Sequence, residues 1–96
     1  MSKIVTDRQF NLLVNHLDAP FKEKLTLSEA LYWIREKKGI ACGTGLNVNS
    51  DNRFLGDYIY EYVIDNNRVD GCSGFDTHSL AESALLDAVL TYLEKK

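Results

Sequence analysis

The sequence predicts an α+β fold: a two-layer domain in which a three-stranded antiparallel sheet is packed by helices, in the chain order α-α-β-β-β-α. Three observations carry that expectation. Apolar residues recur at helical spacing over residues 6–18 and 26–38, switch to a period of two after Gly39, and return to helical spacing from about residue 79. The stretch YIYEYVI (58–64) consists of β-formers except for Glu61. Two segments of turn-forming composition, SDNRFLGD and DNN, separate the three extended runs.

Each element has its own local signals. In TDRQFNLLVNHLD, Phe10, Leu13, Val14 and Leu17 form one helical stripe, Thr6 and Gln9 make a capping box, and Ala19-Pro20 closes the helix. In TLSEALYWIREKK, Thr26 and Glu29 make a second capping box, Leu27, Ala30, Leu31 and Ile34 form the buried face, and Gly39 stops the helix. The first strand alternates Ile40, Cys42, Leu46 and Val48 with Ala41, Gly43, Gly45 and Asn47, its glycines marking a bulge or a close backbone approach. The second strand is 58–64, Asp65-Asn66-Asn67 turns a hairpin, and VDGCSGF (69–75) is the third strand. Asp76-Thr77 caps a final helix of about 79–94. Its apolar positions (Ala81, Leu85, Leu86, Ala88, Val89, Leu90, Tyr92 and Leu93) cover more than half its circumference. That helix is expected to pack on the sheet and on a neighbouring helix as well.

Length and composition bound the function. At 96 residues the chain is one domain, 1–96, in which a single core suffices without staples. Residues 1–20 form a helix that is either appended to the rest or part of a dimer contact. With 45% hydrophobic and 26% charged residues and one proline, the composition is globular rather than disordered. No apolar run reaches the ~18 residues of a membrane span, and MSKIVTDRQF is not a secretion signal, so the expected location is the cytoplasm. Cys42 and Cys72 are then reduced thiols. The net charge of −3 speaks against nucleic-acid binding. The basic residues that do cluster (Arg35, Lys37 and Lys38, then Lys95 and Lys96) sit at helix ends, where cations suit the dipole.

The loop-like GIACGTGLNVN raises the question of a phosphate cradle. Such a cradle needs a helix starting directly after the glycines, whereas here a helix precedes them and a strand carries them. The expectation is therefore a bulged strand and no cofactor. Asn47, Asn49 and Asp51 echo a calcium loop, but Asn52 stands where glycine is required and Tyr58 where glutamate is. Cys42, Cys72, His16 and His78 lack zinc-site spacing; two small buried thiols and two surface histidines are expected instead. A Cys72–His78 catalytic pair would need hydrogen-bond reach that sequence proximity does not supply, so no catalytic and no metal residue is assigned. Tyr58, Tyr60 and Tyr62 share one face with Ile64; Glu61 marks the opposite face as the wetter one, so the tyrosines are expected in the core.

Three resemblances add to this reading. Helix, three strands, helix is the topology of double-stranded-RNA-binding domains, but the last helix begins Thr77-His78-Ser79-Leu80-Ala81-Glu82 without the lysines such domains use. That resemblance implies a fold and not RNA binding. The stretch GCSGFDTHSLAESALLDAVLTYL (71–93), about a quarter of the chain, is similar to the closing part of HicB-type antitoxins, with Asp70 in place of the proline usual before Gly-Cys. From Ser28 onward (SEALYWIREKKG, YIYEYVI, FDT and the Ala-rich helix), about two thirds of the chain resembles small phage and prophage proteins of gut Bacteroidetes. This implies an α+β fold and a mobile-element origin.

The functional expectation is a small, non-enzymatic protein of phage or mobile-element origin that acts by binding another protein. Tyr32 and Trp33, which lie off the main stripe of the second helix, would form the partner site with Leu86, Leu90 and Leu93 of the last helix. A homodimer through the helices is the related possibility. The alternative is an antitoxin that neutralises a partner toxin through its sheet and final helix, and a nucleic-acid-binding module ranks last.

Overall fold

A computed structural model describes residues 3–17, 25–64 and 67–95. It contains α1 (Asp7–His16), α2 (Leu27–Lys38), β1 (Cys42–Val48), β2 (Phe54–Ile64), β3 (Arg68–Phe75) and α3 (His78–Glu94). The strands form an antiparallel meander in the order β1-β2-β3. The α+β class and the α-α-β-β-β-α order are those the sequence predicts.

Both capping boxes form. The Thr6 hydroxyl accepts from the Gln9 N–H while the Gln9 side chain accepts from the Thr6 N–H, and Thr26 and Glu29 do the same for α2. Gly39 closes α2 in the left-handed conformation at φ 64°. At α3 the cap is Thr77, whose hydroxyl accepts from the Leu80 N–H. α1 ends at His16, with Leu17 as its extended C-cap, ahead of the expected closure at Ala19-Pro20; those two residues and the Asp65-Asn66 half of the hairpin turn lie outside the described residues.

The core is built around α3. Ala81, Leu85, Leu86, Val89 and Leu90 are fully buried, together with Leu13 of α1 and Ala30 and Ile34 of α2. Val5, Leu17, Leu25, Leu27, Leu31 and Ile40 complete the cluster, and Cys42, Tyr60 and Tyr62 pack against it from the sheet. Tyr60 and Tyr62 thus lie on the covered face that the alternation predicts, half-buried at the edge of the core rather than inside it; Tyr58 is half-buried beyond the cluster, and Glu61 is exposed on the other face. The segment before α1 is drawn into the same core: Val5 N–H donates to Leu25 C=O at 2.9 Å and Leu27 N–H to Lys3 C=O at 2.7 Å.

Two local features differ from the sequence reading. β2 starts at Phe54, not 58, because the turn is compressed into Asn49–Arg53. There the Asn49 side chain accepts from the Asp51 and Arg53 N–H groups, and Asn52 takes a positive φ of 62°. The strand then survives Gly56 because glycine tolerates its φ of 94°. The irregularity in β1 falls between Leu46 and Val48 rather than at the glycines. Gly43 and Gly45 have ordinary φ, and a Cβ on either would meet nothing within 4 Å.

Leu85→Asp places an unpaired carboxylate at a site of 0% exposure. The cost is on the order of 5 kcal/mol, comparable with the whole stability of a small domain. Circular dichroism should show the variant unfolded at 25 °C; a cooperative melt near the wild-type temperature would mean that α3 is not the core.

Candidate functional site

Polar side chains of α2, β1 and α3 meet at the N-terminal end of α3. His78 Nε2 lies 2.6 Å from Thr44 Oγ1 of β1, and its Nδ1 lies 3.5 Å from Glu82 Oε1 one turn along the helix. The Ser28 hydroxyl of α2 donates to Glu82 Oε2 at 2.9 Å. Glu82 is buried, so its charge needs these partners. A His78 tautomer protonated on Nδ1 satisfies the network: it faces the carboxylate, and Nε2 accepts from the Thr44 hydroxyl. Hydroxyl, imidazole and carboxylate stand in the order of a nucleophile, base and orienting group. The Thr44 hydroxyl, however, is turned to His78 on the helix side of the sheet, whereas a hollow of about 390 Å³ lined by Gly43, Thr44, Gly45, Ile59 and Glu61 opens over the sheet. The arrangement fastens α3 to β1 and to α2 at once.

The remaining chemistry-bearing residues are held apart. Cys72 is exposed rather than buried as expected, because β3 is an edge strand; its thiol donates to Ser73 C=O at 3.6 Å. The His78 ring is occupied by Thr44 and Glu82, so no Cys72–His78 pair forms. No cluster of three or more metal-type ligands occurs among the described residues. The stretch NVNSDN is a hydrogen-bonded turn: Asn49 turns its side chain onto its own backbone, and Asn47 donates to Asp57 at 3.0 Å. The question raised by Gly-Thr-Gly is answered by its strand: Gly43 and Gly45 are the bare floor of the outer hollow, with no helix beginning behind them.

The expected partner residues fall into two groups. Tyr32 is exposed and stacks edge-on against the half-buried Trp33 at 5.4 Å, with the Lys37 ammonium 5.8 Å from the Trp33 ring. Leu86 and Leu90 are corrected: both have 0% exposure, sealed into the core, and a partner cannot reach them in the folded domain. Leu93 packs half-buried at the core's edge. A helix apolar on most of its surface can be covered from several sides by its own chain, and that is what happens here.

The exposed apolar surface lies elsewhere. β3 pairs with β2 only from Tyr58 onward, so Phe54–Asp57 and the end of β1 project as a two-stranded arm. Leu46, Val48, Phe54 and Leu55, all on this arm, are each 45–55% exposed. Leu46 stands opposite Tyr58, Val48 opposite Phe54, and the Phe54 and Tyr58 rings meet at 5.7 Å. The apolar face that α3 covers farther along therefore continues past the start of that helix. The sequence hides the arm because SDNRFLGD (50–57) has the composition of one long turn, whereas its second half is strand.

The two thiols provide a check on the placement. Burial pushes the Cys42 thiol above its ordinary pKa, and the Arg35 guanidinium, whose Nη1 lies 4.0 Å from Sγ, only partly offsets this. The fold thus favours the neutral thiol. Its contribution to stability is present below the ordinary thiol pKa and is lost as pH rises through the higher folded value. At pH 8, iodoacetamide should modify Cys72 well before Cys42, as read by mass spectrometry of the two peptides. Equal rates would contradict the burial of Cys42.

No family model, no curated protein and no solved structure matches this chain.

Proposed function

We propose that the protein is non-enzymatic and acts by binding another protein through the β1–β2 arm. The observation that carries this reading is the uncovered apolar strip of Leu46, Val48 and Phe54, together with Leu55 beside it. Four large apolar side chains gathered on a projecting hairpin cost solubility, and soluble proteins retain such patches chiefly where a partner covers them. Tyr32 and Trp33 offer a smaller second surface, whose apolar area is already shared with Lys37 and the core. The resemblance of residues from Ser28 onward to small phage proteins supports a mobile-element origin. Neutralising a toxin is one form such binding takes; with Leu86 and Leu90 internal, it would run through the arm rather than the final helix.

The comparison of two variants tests this. Capture from an extract of the source cells by the tagged protein should be lost in the Leu46→Asp/Phe54→Ser double variant and retained in Tyr32→Ser. Loss in Tyr32→Ser with retention in the double variant would move the site to α2 and refute the arm. Matching circular dichroism spectra would confirm that both variants fold, since all three side chains are about half exposed.

A further inference from the structure

We infer that the partner of the arm is a second copy of this chain, added edge to edge along β1 about a two-fold axis near Leu46. The inference rests on the reading of the arm as a protein-binding surface.

The backbone makes the first part of the case. The Val63 N–H donates to Ala41 C=O at 2.8 Å, which fixes the groups of the first strand that face β2. Backbone groups alternate sides along an antiparallel strand, so those of Cys42, Thr44 and Leu46 turn outward. The Cys42 carbonyl is already taken by Arg35 Nη1 at 3.2 Å. Among the described residues the outward groups of Thr44 and Leu46 have no partner, and they lie toward the arm, away from α2.

The two edges of the sheet are not equivalent. On β3 the outward Gly71 N–H is taken by Asp70 Oδ1 at 2.9 Å, while the Gly74 N–H is turned back to Asp57 Oδ2 of β2 at 2.8 Å. That strand also carries Arg68 and Asp70, and bends at Gly74 with φ 95°. Satisfied donors, charges and a bend are the means by which sheets discourage strand addition. β1, CGTGLNV, has no charge, no proline and no positive φ. It is the only strand of the three without a charged residue.

Charge then selects the occupant. A two-fold contact sets each residue near the axis against its own counterpart, so a strand that pairs with itself must be free of charge there. β1 meets that condition. Stacking two copies through the outer sheet face does not, because it would bring the exposed Glu61, flanked by Gly43 and Gly71 on the neighbouring strands, toward its own copy. Pairing β1 with β1 makes one six-stranded sheet. It satisfies the outward groups of Thr44 and Leu46, sets Leu46 against its own counterpart and sets Val48 of each copy against Thr44 of the other.

Charge substitution at position 46 decides the matter. Sedimentation equilibrium should give the wild-type protein twice the 10.9 kDa chain mass. Leu46→Lys and Leu46→Glu should each sediment as one chain, since like charges then meet at the axis, and an equimolar mixture of the two should return to the doubled mass. Leu46 is 54% exposed, so both variants should keep the wild-type circular dichroism spectrum. A wild-type protein monomeric at about 1 mM would overturn the inference, while the arm would remain open to a different protein in the capture experiment. Doubled mass in both single variants, or no return of mass in the mixture, would equally overturn pairing about Leu46.

Discussion

α3 must be covered on nearly every side, and the rest of the structure is arranged to cover it. A helix whose apolar positions run round most of its circumference cannot rest on a surface as an ordinary amphipathic helix does. The sheet supplies one wall through Cys42, Tyr60 and Tyr62, while α1 and α2 supply Leu13, Ala30, Leu31 and Ile34. This explains why a chain this short has two helices before its first strand. Without them, Leu86 and Leu90 would face water. At about 25 cal/mol per Å² of apolar surface, exposing even two leucines costs several kcal/mol.

Apolar cover alone does not fix how the walls are oriented, and polar contacts reaching into the core do. Gln9, buried in α1, donates to Ser83 C=O at 3.2 Å and to Asp87 Oδ1 at 3.1 Å, while its carbonyl oxygen caps its own helix. Ser28, Glu82, His78 and Thr44 tie α2, α3 and β1 together in the same way. Each contact holds a buried polar group that would be costly to leave unpaired, so a shifted helix loses hydrogen bonds as well as packing. No buried side-chain nitrogen or oxygen among the described residues lacks a partner. The same geometry leaves His78 engaged on both ring nitrogens, which is why this hydroxyl–imidazole–carboxylate alignment is read as a fastening.

What was legible in the sequence was local. Capping boxes span four residues, so Thr6–Gln9 and Thr26–Glu29 are legible directly, and the alternation of Tyr58, Tyr60 and Tyr62 around Glu61 tells the covered face from the wet one. The misreadings were non-local. Whether Leu86 and Leu90 meet a partner or the chain's own α1 and α2 depends on segments far away in sequence. The capping amide of Gln9 also reaches Asp87, 78 residues on, and no local pattern records that. The arm was hidden because Asn49 and Asn52 make a tighter turn than SDNRFLGD implies, leaving Phe54 and Leu55 to the strand. Cys72 is exposed because β3 is an edge, a property of strand order rather than of residue type.

A core gathered around one helix and an arm extending beyond it should differ sharply in local stability. Amide hydrogen exchange, followed residue by residue, measures that difference. The account predicts that Leu85, Leu86, Val89 and Leu90 exchange slowest in the chain, at the rate of global unfolding, while the turn from Asn49 to Arg53 exchanges orders of magnitude faster. If α3 exchanged as fast as that turn while the sheet stayed protected, the helix would be a covering laid over a self-sufficient sheet, and the central claim would be wrong.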